Sequence, residues 1–354
     1  MTKLLDLSYI LLLFILCTSC TGQKETGLPK EEPTQQTQHG TSEVISYNGP
    51  KTITRNIKQD KDGVIWLAAF DGVFRYDGSS FSNVIDKVSS SRFFSAMEDL
   101  EGNMWFGSIG SGVYRYDGIF FEHYTSDEGL LSDEIVSMFQ DKDGDIWFGS
   151  NGGISVYNGT SFKSFMVTGD TMVENRTGIV VPSGQRPINE VNSIVQDRTG
   201  KMWLGTRSST FTYDGRSFET ITHEDVNFQN VRRILVDIEG NIWLGGNDGL
   251  WRYDGSTFTN ITKDFVGYIY EDGGGNIWTS SDESGRRGWA LSRYDQKSLA
   301  QSKPKPTIVK YGEGMIFGIL EANDGSIWFG TLDGVQRYDG HTFSDFKVSL
   351  PRTK

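Results

Sequence analysis

The sequence predicts an all-β fold, a seven-bladed β-propeller of four-stranded antiparallel blades. Three observations carry this. A ten-residue stretch of the type "DKDGDIWFGS" (141–150) recurs seven times. The tryptophans of these copies, Trp66, Trp105, Trp147, Trp203, Trp243, Trp278 and Trp328, are spaced by 39, 42, 56, 40, 35 and 50 residues, and periods near 40 with strand-like content are the signature of propeller blades. The composition agrees: 42 Gly, 8 Pro and 13% aromatic residues in a chain of 354 suit a turn-rich β repeat protein.

From the N-terminus, residues 1–20 ("MTKLLDLSYILLLFILCTSC") combine one Lys with a short apolar run and then Thr18-Ser19-Cys20. That run is too short to span a bilayer and reads as an export signal. Small residues ahead of a cysteine resemble a bacterial lipobox, with Cys20 as the lipidated residue. Cys17 would leave with the signal, so the mature chain would keep no free thiol or disulfide. Residues 21–45 are rich in Gln, Thr, Glu, Gly and Pro and nearly devoid of large apolar residues; they are expected to form a flexible tether. The propeller is assigned to 46–350.

Within one unit, 135–165, "IVSMFQD" alternates and enters the turn "DKDG"; "IWFGS", "GISVYNG" and "SFKSF" follow as three further strands. Gly63, Gly102, Gly144, Gly200, Gly240 and Gly325 occupy the first hairpin, where a positive φ is required. The turn acids are expected to bind local backbone N–H groups. Each tryptophan should lie between neighbouring sheets, where its area excludes water, and the small residue two positions later leaves room for close backbone approach. The third strands end in "RYDG" or a variant; the Tyr is expected in the core and the Arg is expected to pair with an acid or carbonyl of an adjacent blade.

These stretches, "QDKDGDIWFGSNGGISVYNG" and its sisters across 51–348, resemble the two-component-regulator propeller repeat. In that family the repeats form the periplasmic sensing propellers of hybrid histidine kinases. The resemblance implies a propeller with a binding role, here without kinase or receiver regions and as a stand-alone lipoprotein, anchored to the bacterial envelope, most naturally the outer membrane.

In a propeller the turns joining first to second and third to fourth strands share one face, and the remaining connections share the other. The second set is more varied here, and function concentrates in variable loops on a rigid scaffold. Residues 166–190, 296–315 and 280–290 are expected to be enlarged connections on that face. Ligand-binding candidates beside the channel mouth are Arg92, Asp133, Glu134, Asn189, Glu190, Arg207, Arg232, Asn247, Arg286 and Trp289. Mixed charges, amides and an aromatic suit a polar ligand such as a sugar or peptide, or a protein partner.

Other chemistry finds little support. A net charge of −12 with no basic stripe argues against nucleic acid. Four histidines (His39, His123, His223, His341) have no metal-ligand spacing and assemble no nucleophilic triad. "DKDG" lacks the further ligands of a calcium loop. No cofactor and no metal is expected. A lyase similar to streptogramin lyases would need a catalytic His at the channel mouth, where none is expected; a scaffold for another protein remains open beside ligand sensing. Ring closure also has two solutions: "EVISYNG" (43–49) adds a strand to the last blade, or "TFSDFKV" (342–348) completes it.

Overall fold

The computed structural model describes residues 39–40, 44–46, 49–184, 189–283, 288–301, 303–312 and 314–346. The signal and the lipidation site at Cys20, most of the tether, Arg286, and residues 347–350 at the end of the expected propeller lie outside these residues. The described residues fall in the compact unit Gln36–Lys354, which is built from seven antiparallel blades with the expected strand order. Their innermost strands are Thr54–Gln59, Arg92–Glu98, Ile135–Gln140, Val191–Gln196, Arg233–Val236, Phe265–Glu271 and Phe317–Glu321. Each is followed by the Trp-bearing second strand, as Ile146–Ser150 follows Ile135–Gln140 in register Phe139↔Trp147.

All seven repeat tryptophans are buried, at 1–5% exposure, and each packs against the following blade. Trp105 meets Phe148 and Tyr157, and Trp203 meets Tyr253. Trp328 of the seventh blade meets Tyr76 of the first, so the apolar seam runs round the whole ring. Burying seven indoles between sheets removes large apolar areas from water.

The repeat aspartate does two jobs. One carboxylate oxygen of Asp141 accepts the N–H groups of Asp143 and Asp145, and the other accepts Trp147 Nε1 at 2.8 Å. The same indole bond forms from Trp66, Trp105, Trp203, Trp243 and Trp278 to the aspartate six residues earlier, at 2.7–2.9 Å. In the seventh unit Ala322 stands at that position, and Trp328 donates to Ser326 Oγ instead. Gly144, at φ 91°, closes the hairpin in the left-handed region that glycine tolerates best.

The residue preceding that aspartate ties blade to blade. The turn N–H of Leu100 donates to Gln140 Oε1, that of Lys142 to Gln196 Oε1, and that of Gly273 to Glu321 Oε2. The series ends where it began: Asn323 N–H of the seventh blade donates to Gln59 Oε1 of the first, at 2.8 Å. Val236 interrupts the series in the fifth blade, and there Arg198 donates to the Ile238 carbonyl.

Phe343–Asp345 forms the outermost strand of the seventh blade, which is the second of the two closure solutions. Val44–Ser46 pairs instead with Phe81–Asn83, as a fifth strand on the outer edge of the first blade. The first and seventh blades therefore share no sheet; beside the side-chain contacts, their seam holds the Gly49 N–H to Phe346 carbonyl bond and an isolated bridge between Ile53 and Gly334.

Four expectations are corrected. Residues 296–315 are not a connection on the variable face: Gln296–Leu299 is a helical turn between third and fourth strands, and Thr307–Gly312 is the outermost strand of the sixth blade. Its β-branched, alternating "TIVKYG" pairs with Trp289–Arg293, so the enlargement falls on the opposite face. Residues 280–283 and 288–290 extend a strand pair, down to Glu283↔Gly288. Within 166–190, Thr171–Glu174 folds back on Phe162–Thr168 as a fifth strand.

The fourth correction concerns the third-strand arginines Arg115, Arg252, Arg293 and Arg337, which make these contacts within their own blade. Register sets Trp105 opposite Arg115, Trp243 opposite Arg252 and Trp278 opposite Arg293. Each guanidinium therefore lies over its own indole, 5.8–6.0 Å from the ring centroid. Arg115 also pairs with Glu122, and Arg337 with Asp324. The tyrosines are buried or half-buried, and the hydroxyls of Tyr76, Tyr116, Tyr157, Tyr253 and Tyr338 donate to the turn glycine carbonyl, as from Tyr116 to Gly118 at 2.7 Å.

The turns that follow carry a pH signature. Asp77, Asp117, Asp214, Asp254 and Asp339 accept backbone N–H groups two and three residues on, and all are held below the usual carboxylate range, Asp339 at about 2. A carboxyl whose folded pKa is depressed contributes stability above its unfolded pKa and loses it as pH falls through the folded value. Asp145 and Glu271, pushed up by burial, act in the opposite sense and are outnumbered. The thermal midpoint is expected to fall steadily between about pH 4 and pH 2, read by circular dichroism; a midpoint that rises there would contradict these turn bonds.

Candidate functional site

The innermost strands of all seven blades enclose a channel with a cavity volume of about 410 Å³. Four residues before the last residue of each inner strand, which is Gln or Glu in six units and Val236 in the fifth, the seven units have Arg55, Phe94, Val136, Asn192, Arg232, Gly267 and Phe317, all lining this channel. At the next position three blades carry serine, Ser95, Ser137 and Ser193. Two of these serines bond to the following blade: Ser137 Oγ donates to the Val191 carbonyl, and Ser193 Oγ accepts the Ile234 N–H.

The channel is basic within an acidic chain. Arg55, Lys58, Arg232 and Arg233 line it, with Glu190 as its single carboxylate among the described residues. Arg232 Nη1 lies 3.5 Å from Glu190 Oε2 and donates to Asn192 Oδ1 at 3.1 Å. Burial lowers the Arg232 pKa, opposed by Glu190. Arg55 is lowered to about 10, first by burial and then by neighbouring Arg232.

Arg55 sits between two rings, its Cζ 4.5 Å from the Phe94 centroid and 4.3 Å from that of Phe317. Phe94 stacks on Phe70 at 5.2 Å, and Arg92 lies over Phe70 at 5.4 Å. Arg55, Phe94 and Phe317 fall in the first three residues of their strands, at the end reached by the connections from the preceding blades. This cation and ring ladder forms one side of the mouth on the variable face.

Of the candidates read from the sequence, Glu190 and Arg232 line the channel. Arg207 is close enough to lower the Arg232 pKa, and its backbone joins Glu190 O to Asn230 N. Arg92 lies at the rim. The others serve the surrounding loops. Asp133 accepts the Ser126 N–H at 2.7 Å, and buried Glu134 accepts the Gly184 N–H at 2.6 Å. Asn189 donates to the Val167 carbonyl, and Asn247 accepts from Asn230. Trp289 packs edge-on against Phe265. Arg286 lies outside the described residues.

Sequence reasoning missed Arg55, Arg233, Phe94, Asn192 and Phe317. Attention went to loops, whereas these residues are on the strands themselves. Counting back from the turn aspartate, or Ala322 in the seventh unit, places Arg55, Phe94, Asn192 and Phe317 at one strand position and Arg233 at the next.

His123 stacks on Tyr114 at 4.2 Å, with Nε2 2.7 Å from the Ser111 carbonyl, and His223 packs on Trp251 and Phe258. Neither His123, His223 nor His341 is among the channel-lining residues. Among the described residues no group of three or more His, Cys, Asp or Glu is placed to hold a metal.

Fold and channel together define a seven-bladed propeller with a polar, basic axial cavity. The family model described as two component regulator propeller matches residues 129–152 and 185–208, within the third and fourth units. No curated protein matches the chain. Among solved structures, the extracellular domain of BT3049 from B. thetaiotaomicron, described as a hybrid two component system, aligns at 19% identity with a TM-score of 0.64. That match covers 82% of this chain, which spans 39% of the length of that domain. A streptogramin B lyase aligns at 13% identity with a TM-score of 0.59, covering 84% of this chain and 97% of the lyase. The WD40 propeller domain of Doa1 aligns at 16% identity with a TM-score of 0.57, covering 87% and 97%. At these identities the likeness is one of fold.

Proposed function

We propose that this protein is a non-catalytic, sensor-type binding propeller of the bacterial envelope, lipid-anchored through Cys20, which takes a small polar ligand at the variable-face mouth of its channel. The observation that carries this reading is the Glu190–Arg232–Asn192 network lining the cavity beside aromatic rings. A concave site with a few convergent polar groups is the usual form of a small-molecule site. The extracellular setting of the BT3049 domain and the lack of any described helix long and apolar enough to cross a membrane agree with an envelope location. The propeller of a streptogramin B lyase makes a lyase the competing reading; the positions of His123, His223 and His341 away from the channel count against it.

Thermal-shift measurements against glycans and peptides test this, because a ligand that binds only the folded state raises its midpoint. A saturable rise of a few degrees is expected, lost in Arg232→Ala and reduced in Arg207→Ala. A rise that persists in both variants would move the site elsewhere, and turnover of a streptogramin-type lactone would favour the lyase.

A further inference from the structure

The channel holds hydrogen-bond donors that the protein leaves unused. Arg233 Nε and Asn192 Nδ2 are buried and have no hydrogen-bond partner, although both residues line the same cavity. Buried polar atoms in native proteins are nearly always paired, so two open donors on one cavity point to an acceptor that the protein itself does not supply. Arg55 adds a cation whose contacts are the Phe94 and Phe317 rings. Rings that hold a guanidinium by its faces leave its N–H edges free for a carboxylate or phosphate.

The lining charges point the same way. Glu190, the single carboxylate among the described lining residues, is engaged by Arg232, and Arg232 also occupies Asn192 Oδ1. That leaves Nδ2 as the open end of the amide. Arg233 lies over Tyr268, with Cζ 5.0 Å from the ring centroid; neither it nor Arg55 forms an ion pair among the described residues. An unpaired cation withdrawn from water is costly, and desolvated cations at a binding site become favourable when an anion arrives. The net charge of −12 disfavours approach of a polyanion, so the fitting ligand is small.

We propose that the variable-face half of the channel is an oxyanion subsite, in which Arg55, Arg233 and the Asn192 amide grip one carboxylate, sulfate or phosphate group of a small ligand. This rests on the binding role proposed above and specifies the ligand's charge. Removing either arginine also removes an unpaired buried cation, so the empty protein should keep or gain stability while losing the anion.

Calorimetric titration and thermal shift with sodium sulfate, sodium phosphate, glucuronate and glucose, against sodium chloride at matched ionic strength, decide the matter. At least one oxyanion is expected to bind saturably above the chloride background, with affinity reduced tenfold or more in Arg55→Gln and in Arg233→Gln. The thermal midpoint of each ligand-free variant is expected to be unchanged or higher. Response to sulfate or phosphate alone assigns a tetrahedral group, and response to glucuronate alone a planar carboxylate. Arg55→Lys, which keeps the charge but not the fork, should fold and bind more weakly than the parent.

Oxyanion binding that is absent, or that is intact in both Gln variants, overturns the subsite. A midpoint several degrees lower in Arg55→Gln with anion binding retained would make the arginine a structural prop and overturn it as well. Glucose or another neutral ligand that binds and is lost in Arg232→Ala, while oxyanions do not bind, removes the oxyanion assignment and leaves the sensor reading standing. Silence toward the oxyanions and toward the whole glycan and peptide screen removes both.

Discussion

Valine in place of Gly330 is expected to prevent the ring from closing. Gly330 lies two residues after Trp328, on the second strand of the seventh blade, and a β-carbon there would overlap the Thr54 carbonyl oxygen of the first blade. The obstructing atom is backbone, so no side chain can rotate away. Thr54 begins the inner strand that carries Arg55 and ends at Gln59, the acceptor for Asn323 N–H. Forcing the blades apart would disturb that bond and the packing of Trp328 against Tyr76 and Phe346. Overpacking ordinarily costs about 1–3 kcal/mol. With rigid backbone on one side and a ring closure on the other, the loss is expected at or above about 3 kcal/mol. Urea unfolding followed by tryptophan fluorescence measures it; a variant within about 1 kcal/mol of the parent would show that the seam is looser than the structure has it.

Truncation of Trp243 is the second large effect. The side chain is 1% exposed, packs in a cluster with Leu250, Val266, Ile269, Ile277 and Tyr294, and donates Nε1 to Asp237 Oδ2 at 2.8 Å. Trp243→Ala is expected to cost about 3–5 kcal/mol through the cavity it leaves. Trp243→Phe separates the two roles: most of the apolar filling stays, while the Asp237 carboxylate loses its indole donor, at a cost of about 1–3 kcal/mol. The same exchange at Trp328, whose indole donates to Ser326 Oγ and not to a carboxylate, should cost less. Chemical denaturation of the three variants checks the order, and equal losses for the two Phe variants would deny the aspartate any special part.

The fold was legible because its determinants are local and repeated. Asp141 to Gly144 specify a hairpin through bonds within five residues, and the pattern recurs often enough to count blades. The inter-blade place of the tryptophans also followed from burial preference. The fate of the "RYDG" arginines did not, because it depends on which residue lies across the strand pair, and the register sets Trp105 and not a neighbouring blade opposite Arg115. The strand Thr307–Gly312 was obscured by the long insertion ahead of it, which displaced it from the usual spacing.

The candidate site was legible only in part. Glu190 and Arg232 were found because they sit where a connection enters an inner strand. Arg55, Asn192 and Arg233 were not, since one arginine or amide in a strand carries no mark of the axis it faces.

The sequence by itself determined the number of blades, the position of every first hairpin and the buried tryptophan seam, because turn chemistry and apolar patterning act over a few residues. Only the tertiary structure decided how the ring closes, through Gln59 and Asn323 at 2.8 Å, and which side chains share the axis. Those relations join residues up to 264 positions apart, and such distances are bridged by packing seven sheets together and not by any local preference of the chain.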